Sequence, residues 1–564
     1  MPPCRPPARP SPTCDVDGAP APLWEPADTQ PSPSRLRHCL TLWDPLAPLL
    51  TAAALTVLCL LVLLAPLMSL PANDLGWQLK AGEIISRTGS VPRVDTLSWT
   101  SRGEPWLVHE WLVCCLMYQL FTHVGPAALV ALKLCLLWTT FLLIYLLARR
   151  RSGSTLVGAA ATLAAAYCGR VFWDARPQLV TYLMLALWML LLDHWRYGAE
   201  GSAEGQEPTG ADGRRRWLLW SLPPLTLLWA NCHAGVGLGP LLLALCLAGW
   251  WLDDRLGRHG QSPARGYGEA WICWAACVLV TLVNPHGIGL WLYPFRLASH
   301  PQVFTIITEW FSPVFRSSAL HWYEALVLAT PLALAAGWQL RDRGTGRLAS
   351  VVDLLLVAGT LHLSLLAVRH VPLFGLVAAP TLAGHLPAIG KWVAAQLGLL
   401  GESCRRGATA IAAAAFLVVG APSAAIIADG VPWRYLPGWS LGSASFPDRA
   451  VAYLKTAGYP GPLWNEYRWG GHLIWTLPEY PVFVDGRAEV YYRTSFDDFC
   501  VLHRLEPRWK RVLDSRGINL VLVDRKMPLS RALDLCPDWT LSYSDTVARL
   551  YRRRSPILRP HSAP

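Results

Sequence analysis

Long apolar runs recur along the chain and are separated by short polar stretches. A helix that crosses the hydrocarbon core of a bilayer needs about 20 mainly apolar residues, and about eleven runs approach that length. They lie at residues 46–70, 127–148, 154–170, 178–195, 217–232, 236–252, 270–285, 319–339, 350–368, 371–388 and 408–428. The pattern therefore predicts an α-helical polytopic membrane protein with a membrane domain at 45–428.

The segments outside these runs differ in character. Residues 1–44 are rich in Pro and Ser and lack an apolar run, which is typical of a disordered tail rather than of a cleaved signal peptide. Between the first two runs lies a polar loop, 71–126. Its part 106–123 is apolar enough to pass for a short span, but we interpret it as an amphipathic helix on the membrane surface.

The pattern of apolar and polar residues at 429–564 predicts a small extracytoplasmic α/β domain. Short apolar strands are expected at 462–465, 481–485 and 518–523, with helices at 496–516 and 528–535 between them. Its length is sufficient for an independent core. We therefore expect this region to fold alone and to cover a site in the membrane part.

Composition agrees with a membrane protein and excludes a soluble globular one. Of the 564 residues, 53% are hydrophobic and 15% are charged, and 29 are Trp. The 15 Cys show no paired spacing, so neither a disulfide framework nor a zinc site is indicated. The formal net charge of +11 comes mainly from loops between spans, and it implies no nucleic-acid partner.

The loops alternate in charge, and basic loops of membrane proteins face the cytoplasm. The N-terminus is then cytoplasmic, and the C-terminal region is extracytoplasmic in a multi-pass protein of the plasma membrane. The cations that define the inner side are Arg149, Arg150, Arg151, Arg196, Arg214, Arg215, Arg216, Arg255, Arg258, Arg341, Arg343, Arg347, Lys391, Arg405 and Arg406.

Many polar residues of the membrane part fall on the outer side under this topology. Such groups are costly near the bilayer, usually face a protein-lined cavity and often mark a functional site. The alternative is that Asn and His at span ends are ordinary interfacial caps. The outer set is Asp74, His109, Glu110, Asp174, Arg176, Asn231, His233, Asn284, His286, Glu309, Arg369 and His370.

The C-terminal region has its own candidate residues. Trp464, Tyr467 and Trp469 are predicted to form a platform that stacks on a carbohydrate. Asp485 and Arg487 follow a predicted strand, at the sheet edge where ligands often bind. The alternative is that the Asn, Gly and Asp residues there only form turns, and this alternative is favoured for Gly470 and Gly471.

Two polar stretches carry a resemblance to a known family. They are Asn73-Asp74-Leu75-Gly76-Trp77-Gln78-Leu79-Lys80-Ala81-Gly82 and His109-Glu110-Trp111-Leu112, which bound the loop after the first span. With many spans and an external C-terminal domain, this layout resembles the GT-C superfamily of polytopic glycosyltransferases, which includes protein mannosyltransferases and the aminoarabinose transferase of lipid A. A group of bacterial multi-span membrane proteins is also similar and shares Val484-Asp485-Gly486-Arg487.

The resemblance implies transfer of a sugar from a polyprenyl-phosphate donor in the bilayer to an extracytoplasmic envelope acceptor. Asp74 takes the role of the family's loop acid, with Glu110 as the alternative base. Such chemistry needs a carboxylate to accept a proton and a cation to stabilise the phosphate that leaves. Arg369, His370 and Arg176 are the candidate cations, and Trp464, Tyr467, Trp469, Asp485 and Arg487 would bind acceptor.

Two alternatives stay open on sequence alone. A non-catalytic transporter or envelope-assembly protein with an external binding domain would also have this layout, although a transporter predicts ionisable residues near the midplane. The second open point is whether the His residues bind a divalent metal ion. Their lack of HxxxH or HExxH spacing is the argument against such a site. No other cofactor is indicated.

Overall fold

A computed structural model describes residues 73–197, 211–256, 267–340, 350–396 and 446–557. The tail 1–44 and the spans expected at 46–70 and 408–428 lie outside the described residues. All of the described residues belong to one compact unit.

Within the described residues, five helices are long and apolar enough to cross a membrane. Each coincides with a predicted span, and the chain is a multi-pass membrane protein. The total of about eleven spans stays a prediction. The five helices are Pro126–Ser152, Thr155–Phe172, Gln178–Tyr197, Ala234–Arg255 and Val368–Val393.

Proline determines where other apolar runs break. The run 217–232 forms two helices, Ala211–Trp220 and Leu222–Cys232, because Pro223 at the start of the second lacks the N–H that a continuous helix needs. The run 270–285 forms the helix Tyr267–Val280, which ends before Pro285. The two remaining predicted spans correspond to the helices His321–Gln339 and Val351–Leu366.

Ion pairs join helix ends at one end of the bundle. Arg150 and Arg151 both pair with Asp193, at N–O distances of 2.9 and 3.0 Å, and Arg151 also pairs with Asp353 at 2.9 Å. Asp193 lies near the end of the helix Gln178–Tyr197. A rise of 1.5 Å per residue places the start of that helix about 22 Å away.

Short helices lie at the opposite end of the bundle. Leu75–Thr88 and Trp111–His123 belong to the first polar loop, and Gly289–Ala298 and Val303–Ile306 follow the helix that ends at Val280. Trp111–His123 is short and apolar, as the sequence predicts. That it lies on the membrane surface remains a prediction.

The C-terminal region contains four strands: β1 (Leu463–Asn465), β2 (Leu520–Asp524), β3 (Trp539–Ser544) and β4 (Ala548–Arg553). They form one sheet of order β1-β2-β4-β3. β1 and β2 are parallel, and the other two pairs are antiparallel. The helices around the sheet are Asp448–Ala457, Gly470–Thr476, Ala488–Tyr491, Phe496–Arg504, Trp509–Ser515 and Pro528–Asp534.

Sequence patterns identify this region only in part. The strands at 462–465 and 518–523 and the helix at 528–535 correspond to observed elements, and the helix expected at 496–516 is divided into two. The strand expected at 481–485 is wrong, because this segment makes only a single bridge between Val482 and Ser98 of the outer loop.

The outer loop packs into the C-terminal region. Trp99 donates its indole N–H to the Leu463 carbonyl over 2.9 Å and its backbone N–H to Val482 over 3.2 Å. Trp77 and Trp106 of the loop are buried in the same apolar cluster as the C-terminal strands. An independently folding C-terminal domain does not fit this shared core.

Candidate active site

A cavity of about 490 Å³ opens where the outer loop, the span ends and the C-terminal region meet. It brings together most of the residues that the sequence singled out, although some of them are more than four hundred positions apart. Those that line it are Asp74, His109, Glu110, Arg176, His233, Glu309, Arg369, Tyr467 and Arg487.

Asp74 directly precedes the helix Leu75–Thr88, but its side chain does not cap that helix. Instead the Trp77 indole donates to Oδ1 over 3.1 Å, and Arg176 Nε lies 3.5 Å from Oδ2. Burial raises the pKa of Asp74 above its ordinary value, against the attraction of Arg176. A carboxylate with a raised pKa is a better proton acceptor than an ordinary surface Asp.

Arg176 sits among three carboxylates. Its Nη1 lies 2.5 Å from Glu309, and its Nε lies 3.9 Å from Asp174 in addition to the contact with Asp74. Burial raises the pKa of Asp174 despite the attraction of Arg176. The guanidinium therefore compensates the acids around it and holds Asp74 in place.

Glu110 belongs to a second polar group in the cavity. Its Oε2 lies 2.9 Å from His109 Nδ1, and Gln78 donates to its Oε1 over 2.7 Å. Burial alone would raise the pKa of Glu110, but the attraction and hydrogen bond of His109 outweigh it and hold this pKa below its usual range. Glu110 is thus an ionised, well-paired acid.

His233 lies edge-on to His109, with ring centroids 5.7 Å apart. Its Nδ1 is 2.8 Å from Thr181 Oγ1 and accepts the Gly235 N–H over 3.1 Å. Burial, reinforced by the charge of His109, lowers the pKa of His233 to about 3. His233 is therefore neutral and orients the turn at the start of the next span.

Arg369 and His370 differ in what they contact. The Arg369 guanidinium lies over the Trp310 ring, 4.4 Å from its centroid, and it forms no ion pair within the described residues. His370 has its Nδ1 3.1 Å from the Leu363 carbonyl and does not line the cavity. Of these two cations, Arg369 is the one available to a ligand.

Glycines allow the outer loop and the C-terminal region to approach closely. A Cβ on Gly486 would overlap with Asp74 Oδ1 and lie 3.2 Å from Trp77 Nε1. A Cβ on Gly76 would overlap with the Gly471 carbonyl. Gly470 and Gly471 begin a helix rather than a turn, so the interpretation as turn residues is wrong for them.

Asp485 and Arg487 form a buried ionic network. Two nitrogens of Arg487 donate to Asp485 over 2.8 and 2.6 Å, and Nη1 donates to Asp95 of the outer loop over 2.7 Å. The guanidinium also lies over the Trp106 ring, 4.4 Å from its centroid. Both side chains are fully buried, which indicates that they join the two parts of the chain.

Trp464 and Trp469 are fully buried in the C-terminal core, where Trp464 stacks on Phe499 with centroids 6.1 Å apart. Neither ring has a face open to a ligand, so the prediction that these two residues form a carbohydrate platform is wrong. Tyr467 does line the cavity, and its hydroxyl donates to the Gly486 carbonyl over 3.1 Å.

Three predicted polar residues have local roles outside this cavity. Asn231 accepts the Trp111 indole N–H over 2.9 Å, and Asn284 accepts the backbone N–H of His286 over 2.8 Å. His286 has its Nε2 3.1 Å from the Val108 carbonyl. Asn284 thus supports the turn after a span, as the cap interpretation predicts.

Sequence reasoning did not place Glu489, Tyr293 and Gln78 in the site, although all three line the cavity. Burial raises the pKa of Glu489 to about 7. The position of Glu489 two residues after Asp485-Gly486-Arg487 was the only available signal. In the described part of the chain, no group of three or more His, Cys, Asp or Glu is arranged to hold a metal ion.

No protein-family model and no curated protein matches the sequence. The structure is similar to the oligosaccharyltransferase of Archaeoglobus fulgidus tethered with an acceptor peptide, with a TM-score of 0.53 and 12% identity over 84% of this chain and 69% of that chain. For AglB of the same organism in complex with an inhibitory peptide and a dolichol-phosphate, the TM-score is 0.54 with the same identity and coverage.

ArnT from Cupriavidus metallidurans matches with 16% identity over 92% of this chain and 98% of that chain, but its TM-score of 0.42 is below that of a shared fold. The similarity to the archaeal enzyme, with the apolar helices, establishes the architecture. The chain shares the fold of this archaeal oligosaccharyltransferase.

Proposed function

We propose that the chain is an integral-membrane glycosyltransferase that transfers a sugar from a polyprenyl-phosphate donor to an extracytoplasmic acceptor. The observation that carries this proposal is the buried acid Asp74, held by Arg176 and Trp77 in a cavity at one end of the helix bundle. A membrane-bound donor requires a site at this position. The transporter or assembly alternative has no comparable support from the fold.

Asp74 is the proposed general base. Its raised pKa favours acceptance of a proton from the acceptor, whereas the pKa of Glu110 is held low by His109. Glu110 then positions His109 and Gln78 rather than accepting the proton. The structure therefore favours Asp74 where the sequence left both acids open.

Arg369 is the proposed partner of the leaving phosphate. Arg176 is already surrounded by Asp74, Asp174 and Glu309, so a phosphate near it would meet three like charges. Arg369 approaches the cavity from the start of a span, next to Trp310. Arginine binds phosphate through two parallel N–H groups, which makes this contact strong and directional.

Tyr467 is the remaining aromatic residue proposed to contact acceptor, because it lines the cavity from the C-terminal side. Arg487 and Asp485 would support this wall without binding acceptor themselves. The envelope acceptor and the lipid carrier are proposed by analogy with the AglB complex, which contains a peptide and a dolichol-phosphate.

The test is sugar transfer by the purified full chain. The protein is incubated with a panel of radiolabelled polyprenyl-phosphate sugars and envelope extract, and labelled product is measured. Asp74→Asn keeps the size of the side chain but removes its charge, so transfer should fall about 100-fold or more. Glu83→Gln is the matched control, because Glu83 lies on the same helix and pairs with Lys80 and Arg87 outside the cavity.

Near-normal transfer by the Asp74→Asn protein would move the base to another acid. Absence of transfer by the parent chain with every donor in the panel would contradict the enzyme proposal itself.

A further inference from the structure

A second cavity, of about 670 Å³, lies beside the first, and the proposed reaction does not use it. Its walls come from the outer loop, the helix Gly289–Ala298 and the C-terminal segment 489–493. It shares Tyr293, Leu297 and Glu489 with the reaction cavity. The two cavities are therefore neighbours with a common wall.

Three arginines from three separate segments line this second cavity. Arg93, Arg296 and Arg493 are all exposed, and none forms an ion pair with a carboxylate within the described residues. Arg93 donates to the Pro285 carbonyl over 3.5 Å, a long bond that leaves most of its donors available. The cavity is positively charged, because its two acids, Glu104 and Glu489, do not balance three guanidinium groups.

A histidine in the wall responds to this charge. Burial lowers the pKa of His286, and the positive charges of His109 and Arg93 lower it further. The acid on the shared wall, Glu489, has its pKa raised to about 7 by burial. His286 and Glu489 do not balance the positive charge of the three arginines, and an anion bound in the cavity would do so.

An exposed apolar stripe lies beside the cavity, on and next to the helix Gly289–Ala298. Ile288, Leu292 and Phe295 are 61, 41 and 72% exposed and follow one another at helical spacing, whereas Leu290 and Leu297 are buried. An exposed apolar stripe on a short helix beside the spans of a membrane protein is typical of a helix that lies in the bilayer interface. Leu292 lines the cavity as well, so the cavity opens next to this stripe.

We propose that the second cavity binds the phosphate group of an anionic amphiphile. Arg93, Arg296 and Arg493 hold the phosphate, and the apolar part of the ligand lies along the stripe formed by Ile288, Leu292 and Phe295. Guanidinium groups suit a phosphate ester because each offers paired donors in a fixed plane. That this ligand is the acceptor rests on the proposed glycosyl transfer, whereas the binding itself does not.

The experiment measures binding to the purified full chain in detergent, without any sugar donor. The probes are dioctanoyl phosphatidic acid, dioctanoyl phosphatidylcholine and inorganic phosphate, followed by native mass spectrometry. Phosphatidic acid should bind at least about tenfold more tightly than phosphatidylcholine, because only its phosphate is unmasked. Arg296→Gln/Arg493→Gln should lose about tenfold of that affinity, and Arg296→Gln alone should lose part of it.

Arg511→Gln/Arg531→Gln is the matched control, since both arginines are exposed on the C-terminal region and line neither cavity. Equal binding of the two lipids, or unchanged binding by the Arg296→Gln/Arg493→Gln protein, would overturn the proposal. Inorganic phosphate that binds as tightly as phosphatidic acid would keep the anion site but overturn the part played by the apolar stripe. Because no donor is present, loss of binding is distinguishable from loss of transfer.

Discussion

Asp74 contacts the C-terminal region at Gly486, which has no side chain. A Cβ on Gly486 would overlap with Asp74 Oδ1 and lie 3.0 Å from Asp74 Cγ. The overlapping atom is the end of a side chain, so Asp74 can move away without a shift of backbone. Gly486 therefore controls the position of the acid more than the stability of the fold.

We expect Gly486→Ala to reduce the kcat/KM of sugar transfer about 100-fold, because a displacement of about 1 Å at a reacting group has an effect of this size. The Tm should change little. Gly359→Ala is the control, since a Cβ there meets nothing within 4 Å. Parent-like transfer by Gly486→Ala would show that Asp74 does not need this contact.

Polarity in an apolar setting is the signal that identifies Asp74, Glu110 and Arg176 from sequence. It also selected residues that lie outside the cavity, such as Asn231 and Asn284. The same reasoning misjudged Trp464 and Trp469, because aromatic residues serve a core as readily as a binding surface. It also did not place Glu489 in the site. Its place in the site depends on contact between distant parts of the chain, which no local pattern encodes.

Among the elements, apolar length predicted the long spans, whereas strand pairing was harder to foresee. β3 and β4 contain polar residues such as Thr540 and Arg552 and have one exposed side, so they lack the apolar run that marks β2. The segment 481–485 is apolar for another reason. It packs between the outer loop and the sheet instead of joining the sheet.

The outer loop acts as an element of the C-terminal core, and this affects a fragment that starts at residue 440. Arg487 is fully buried and would lose Asp95, one of its two carboxylate partners. The fragment would also lack Trp77 and Trp106, which are buried in the same apolar cluster as its strands. We expect fragment 440–564 to aggregate or to unfold without cooperativity in circular dichroism. The same fragment fused to residues 71–126 should show a cooperative transition, and equal stability of the two would refute the shared core.

On the scale of the whole molecule, the two ends of the bundle differ in chemistry. The cavity with Asp74 and Arg176 lies at one end, and the cluster of Arg150, Arg151 and Asp193 lies about 22 Å away along one helix. Basic clusters at span ends mark the cytoplasmic side. We therefore infer that the cavity and the C-terminal region face the outside.

Single introduced cysteines test this orientation with a membrane-impermeant maleimide in intact cells. Lys455→Cys, on an exposed helix position of the C-terminal region, should be labelled, because it shares the cavity's side of the membrane. Gly205→Cys, between the helix that contains Asp193 and the next apolar run, should be labelled only after the cells are made permeable. The parent chain gives the background from its own thiols. Labelling at 205 but not at 455 in intact cells would reverse the orientation, and the donor would then have to be presented from the cytoplasmic leaflet.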